Sequence, residues 1–182
     1  MSIPSGPVFQ HPARSQRRFC YLKDWITLEN IEALARRGLS EINATGLDLI
    51  SLDLDGNDIY LVEKILSTEL RPRVFIVEYN GMFPPPVKFQ ITYDPNYRWA
   101  GDDYFGASLT SFVELFERFS YRLVCCNSQA GTNAFFVESI HAEAFSDVPT
   151  DIHQIFVEPR YFGYPTLRHR KSIRTISSIL NG

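Results

Sequence analysis

The stretch Asp53-Leu54-Asp55-Gly56-Asn57-Asp58 holds three carboxylates and a carboxamide within six residues. Carboxylates gathered this closely offer hard oxygen ligands to a divalent cation such as Mg²⁺, or hold substrate hydroxyls and amines. A second acid stands in Glu78-Tyr79-Asn80. On this pattern Asp53 and Asp55 are the candidate catalytic groups, and Asp53, Asp55 and Asp58 the candidate cation ligands. Asn57, Asp58, Glu78, Asn80 and Tyr104 are the candidate substrate contacts. A structural reading competes: Asp55 and Asn57 cap a following helix while Asp53 satisfies backbone amides. Three acids exceed what one cap requires.

The elements around these residues say where they sit. Leu47–Leu54 is a mostly apolar run of strand length, as expected for a strand buried on both faces of a parallel sheet. Residues 57–66 read as a helix with a broad apolar face, and Arg73–Tyr79 as a second buried strand. Strand, helix and strand make a βαβ unit with a right-handed crossover. Ligands of an open parallel sheet bind beyond the carboxyl ends of its strands, which is where Asp53, Asp55 and Glu78 fall. Gly56 is expected to turn the chain tightly and Asn57 to cap the helix.

Upstream, Thr27 is a candidate helix cap, with Leu28, Ile31, Leu34 and Ala35 at helical spacing and Gly38 as the stop. Downstream, residues 80–106 form a long loop rich in proline and aromatic residues, expected to be an ordered cover. A helix over Ala107–Phe119 precedes two strands, Tyr121–Asn127 and Thr132–Glu138, whose short link restricts them to an antiparallel hairpin.

These motifs, in this order, resemble the FkbM-type methyltransferases. The branch they resemble is marked by a DxDGND signature, here Asp53–Asp58, followed by Glu78-Tyr79-Asn80. The likeness continues through Tyr104-Phe105-Gly106, Tyr121-Arg122-Leu123-Val124 and Asn133-Ala134-Phe135-Phe136-Val137, and spans roughly residues 25–140. It implies an α/β fold, the C-terminal portion of a Rossmann-like methyltransferase sheet, with parallel strands completed by an antiparallel C-terminal hairpin. It also implies S-adenosylmethionine as cofactor and O-methyl transfer to a small-molecule or sugar hydroxyl. A bound divalent ion would then lower the acceptor's pKa, and a carboxylate would orient it.

The departure matters as much as the match. The family holds its cofactor in a Gly-rich loop after the first strand, and no such pattern precedes Thr27. The expectation is therefore a partial domain over residues 26–140, inactive alone, between a flexible basic leader (1–25) and an extension with a basic tail (141–182). Without a preceding strand, 47–54 becomes an apolar edge that invites a second copy or a partner chain. That gives the alternative of a non-enzymatic interaction module. Asp53-Leu54-Asp55-Gly56 also resembles the opening motif of haloacid-dehalogenase-type phosphatases, with Gly101-Asp102-Asp103 as a late metal motif. Asn57 departs from that family's Thr or Val.

Composition bounds the rest. Hydrophobic content of 45% suffices for a packed core, and no apolar run is long enough to span a membrane. Three cysteines, two of them adjacent, suggest reduced core thiols in a cytoplasmic protein. The net charge of −3 divides into +3 over residues 1–25, +5 over 160–182 and −11 between. Basic ends on an acidic body are expected to be solvated or to dock on the body, and a nucleic-acid partner is not expected. Trp25 and Trp99 are expected in the core or cover.

Overall fold

The computed structural model describes residues 19–160 and 169–181. Its centre is one open, mixed four-stranded sheet flanked by helices, an α/β arrangement. Helix α1 (Ile31–Glu41) leads into β1 (Leu49–Leu52), then α2 (Asp58–Leu66) and β2 (Val74–Glu78). After the long loop come α3 (Leu109–Arg118), β3 (Tyr121–Cys126) and β4 (Asn133–Glu138). A 3-10 segment (Ser139–Phe145), a short α4 (Ile152–Ile155) and α5 (Ile173–Asn181) complete the described chain.

The sheet order is β1-β2-β4-β3: β1 and β2 are parallel, and β4 runs against both β2 and β3. Leu61, Val62 and Ile65 of α2 and Phe112 and Phe116 of α3 bury against Phe75, Val77 and Phe136 of the sheet. Phe116 stacks on Phe136 at 3.9 Å between ring centres. Fully buried side chains of this size each contribute roughly 1.5–3 kcal/mol, so these facing positions fix how the helices sit.

Three local expectations are corrected. Strand β1 is the edge of the described sheet, as expected, but it is not buried on both faces: Leu49 is 49% exposed. A terminal strand has a neighbour on one side only, so an apolar sequence does not guarantee cover. Helix α1 runs through Gly38 and stops beyond Glu41, because Asn43 takes the left-handed conformation (φ 51°) and Ala44 N–H bonds the Leu39 carbonyl at 2.9 Å. Of the adjacent thiols only Cys126 is buried; strand alternation turns Cys125 outward.

The loop over residues 80–106 is ordered and has a small core of its own. Phe83, Phe89, Ile91, Tyr97 and Tyr104 bury together, with Phe83 stacked on Phe89 at 4.1 Å. Asn80, fully buried, fastens the loop to β2: its amide donates to the carbonyls of Asp103 (3.0 Å) and Phe105 (2.9 Å).

Candidate functional site at the carboxyl ends of the parallel strands

Parallel pairing brings the acids together. Leu52 is in register with Val77, so the next residues, Asp53 and Glu78, leave their strands side by side. Asp55 folds back to join them: carboxylate oxygens of Asp53, Asp55 and Glu78 all lie within 4.8 Å of one another. Asp53 and Asp55 are exposed, and Glu78 is half-buried between β1 and β4.

The turn that presents them departs from expectation in who does what. The left-handed residue is Asp55 (φ 56°), not Gly56. Gly56 is required instead by the cover: a Cβ there would meet the Tyr97 ring at 2.3 Å. Asn57 does not cap α2. Its carboxamide donates to the Asp94 carbonyl (2.7 Å) and accepts from the Asp94 amide (3.3 Å), pinning the cover loop to the end of β1.

Asp58 turns inward, 2% exposed, and accepts from the amides of Leu54 (2.8 Å) and Gly56 (2.9 Å). Both of its oxygens thus brace the turn, and it stands outside the three-acid cluster. Asn80 and Tyr104 are likewise engaged in the fold. The Asn80 carboxamide accepts from Met82 N–H, besides its two donations to the loop. The Tyr104 hydroxyl accepts from Thr92 N–H at 3.0 Å, with the ring 5% exposed. Of the seven side chains singled out from the sequence, the structure gathers Asp53, Asp55 and Glu78 and gives Asn57, Asp58, Asn80 and Tyr104 to positioning.

Charge follows from this crowding. Burial, then the carboxylates of Asp53, Asp58 and Asp55, push Glu78 up to about 8, so it keeps its proton at neutral pH. Burial and Asp55 also raise Asp53. Burial raises Asp58 against the opposing bonds from Gly56 and Leu54. A protonated acid beside exposed carboxylates can donate to a substrate oxygen while its neighbours accept. A divalent cation would find three hard oxygen donors in the same place.

Two residues of this neighbourhood escaped sequence reasoning. Tyr97 lies on Gly56 and donates its hydroxyl to the Tyr104 carbonyl. Arg174 comes from the C-terminal tail and holds its guanidinium 4.1 Å from the Tyr104 ring centre. Neither has a local signature, since each acts through a contact between segments far apart in sequence. Asp102 and Asp103, the candidate late metal motif, lie outside the cluster, and Asp103 is bonded to α5.

No family model matches this chain, and no curated protein does.

Proposed function

We propose that this domain is the acceptor side of a methyltransferase-type α/β fold: a carboxylate cleft for a small-molecule or sugar hydroxyl. The observation that carries the reading is the convergence of Asp53, Asp55 and Glu78 at the carboxyl ends of adjacent parallel strands. Two further features support it. The parallel pair with a hairpin completing the sheet is the arrangement the sequence resemblance implies. The signature residues Asn57, Asp58 and Asn80, outside the cluster, brace its turn or the cover loop. In this reading Glu78 holds a proton at the acceptor oxygen, and Asp53 and Asp55 accept from the substrate's hydroxyls. Mg²⁺ fits the same donors; bound there, it would polarise an acceptor hydroxyl.

At the Asp53–Asp58 turn S-adenosylmethionine finds no backbone open to close approach, because the Tyr97 ring stands where a Cβ of Gly56 would. No methyl-transfer step is therefore assigned to these residues alone.

Calorimetry tests both halves of the reading. Mg²⁺ or Mn²⁺ should bind the wild type, and Asp53→Asn should weaken it by about tenfold or more, since a hard ion loses one of its carboxylate ligands. Unchanged affinity in that variant would remove the site. Absence of S-adenosylmethionine binding at millimolar concentration would end any claim of autonomous activity.

The second reading, an interaction module, has its own observation: among the described residues no strand pairs with the outer side of β1, and Leu49 is half exposed. In that reading the Leu47–Leu54 edge takes a strand from another chain.

A further inference from the structure

Helix α5 is attached to the body by its polar side. Asp103 accepts from the Ser172 amide and the Thr175 hydroxyl, both at 2.8 Å, and pairs with Lys171 at 3.3 Å. The aliphatic side faces out: Ile173, Ile176 and Leu180, at the i, i+3 and i+7 positions, are 82%, 53% and 78% exposed. An amphipathic helix normally docks by its apolar stripe, so this one presents to solvent the surface that ordinarily seeks cover.

The surroundings say what kind of cover. Arg170, Lys171 and Arg174 are exposed around the start of α5, and residues 160–182 contain no acid. Contacts lead from this segment to both tryptophans of the chain. The Arg170 guanidinium donates to the Ala100 carbonyl (3.3 Å), and Trp99 packs edge-on against His169 at 5.3 Å. Next to Trp99, the Arg98 guanidinium lies over the Trp25 ring at 4.7 Å. Trp25 and Trp99 are 48% and 43% exposed; Trp99 belongs to the cover loop, as expected, whereas Trp25 lies outside the core.

We propose that this face docks on a membrane surface rich in anionic lipid. Exposed aliphatic residues on one side of a short helix enter the headgroup–acyl boundary, tryptophans favour that same depth, and flanking cations meet the anionic headgroups. A second copy of the chain is disfavoured because twofold contact through α5 would bring two basic tails together. Nucleic acid would engage the cations but leaves the outward isoleucines without a role. The docking lies in the plane of the surface: among the described residues no helix is long and apolar enough to cross a membrane.

Tryptophan fluorescence of the full chain tests this directly, because its two tryptophans are both half exposed along this line of contacts. Phosphatidylcholine vesicles containing phosphatidylserine should shift the emission to the blue, reduce acrylamide quenching and sediment the protein. Vesicles of phosphatidylcholine alone should do so weakly, and high salt should reverse the effect. The double variant Ile173→Ser, Leu180→Ser should melt like the wild type, since both side chains are exposed, and partition at least about tenfold more weakly. No spectral shift and no sedimentation with phosphatidylserine vesicles would overturn the proposal, as would equal partitioning of the double variant. Two results would overturn it in favour of another partner. One is self-association without lipid that the double variant abolishes; the other is oligonucleotide binding, without vesicle binding, that the double variant retains.

Discussion

At the scale of single residues, the most consequential is Glu78. Two carboxylates of β1's terminal turn and the inward Asp58 crowd it, and burial raises it to about 8. The direction of linkage follows. Between the unfolded value of 4.5 and about 8, the folded chain keeps a proton that the unfolded chain has lost. Rising pH therefore favours unfolding across that window, and the contribution is fully present only below it. Glu78→Gln removes the titration. Chemical denaturation in the presence of a chelator should show wild-type stability falling relative to Glu78→Gln from about pH 4.5 to about 8. Parallel curves for the two proteins would mean that Glu78 is not held protonated. Asp58 makes the opposite point: an acid within the same signature whose two oxygens are fixed on backbone amides, so that its work is to shape the turn.

At the scale of elements, the cover loop and α5 form a relay of contacts ending at the Asp53–Asp58 turn. Asn57 and Gly56 meet the loop at Asp94 and Tyr97, the Tyr97 hydroxyl reaches the Tyr104 carbonyl, and Arg174 of α5 lies over Tyr104. Asp103 is the fastening: it is buried, and Ser172, Thr175 and Lys171 converge on it. Those bonds and the charges of Lys171 keep its carboxyl below the ordinary value despite burial, which pushes the other way. Asp103→Ala leaves the Ser172 amide and Thr175 hydroxyl without their acceptor, at a cost of roughly 1–3 kcal/mol. Hydrogen exchange should then show residues 172–181 losing protection while β2 and β4 keep theirs. Retained protection in α5 would show that its packing, not Asp103, holds it.

At the scale of the molecule, the edge of β1, open among the described residues, bears on how the chain could associate. Asp48 and Asp53 flank the strand, both exposed. A twofold antiparallel pairing centred between Ile50 and Ser51 would set Asp48 against the partner's Asp53, a like-charge contact that disfavours a homodimer in that register. A different chain bearing cations at those positions has no such penalty. Light scattering should therefore report a monomer of 20.9 kDa for the isolated chain. A stable dimer that Leu49→Lys dissociates would show instead that the edge pairs with its own copy.

How much was legible in the sequence varies with the range of the interaction. The two parallel strands, the hairpin and the helices between them were readable, because apolar period and turn residues are local properties. The grouping of Asp53 with Glu78 was readable too, since acids ending consecutive parallel strands must share one edge of the sheet. The sequence could not separate acids that face outward from those used within. Asp55 and Asp58 are three residues apart in one motif, yet one joins the cluster and the other braces it, a choice made by backbone amides that turn inward only after the turn has formed.

The burial of β1, the seating of Tyr97 on Gly56 and the outward stripe of α5 were likewise decided by the tertiary structure. Each depends on which distant segment comes to lie against it. Residue types and spacing by themselves determined the α/β class, the strand ends and the acids placed there. Only packing decided which of those acids stay free for a ligand and which surfaces the chain leaves uncovered, because burial is a property of neighbours brought together by the whole chain.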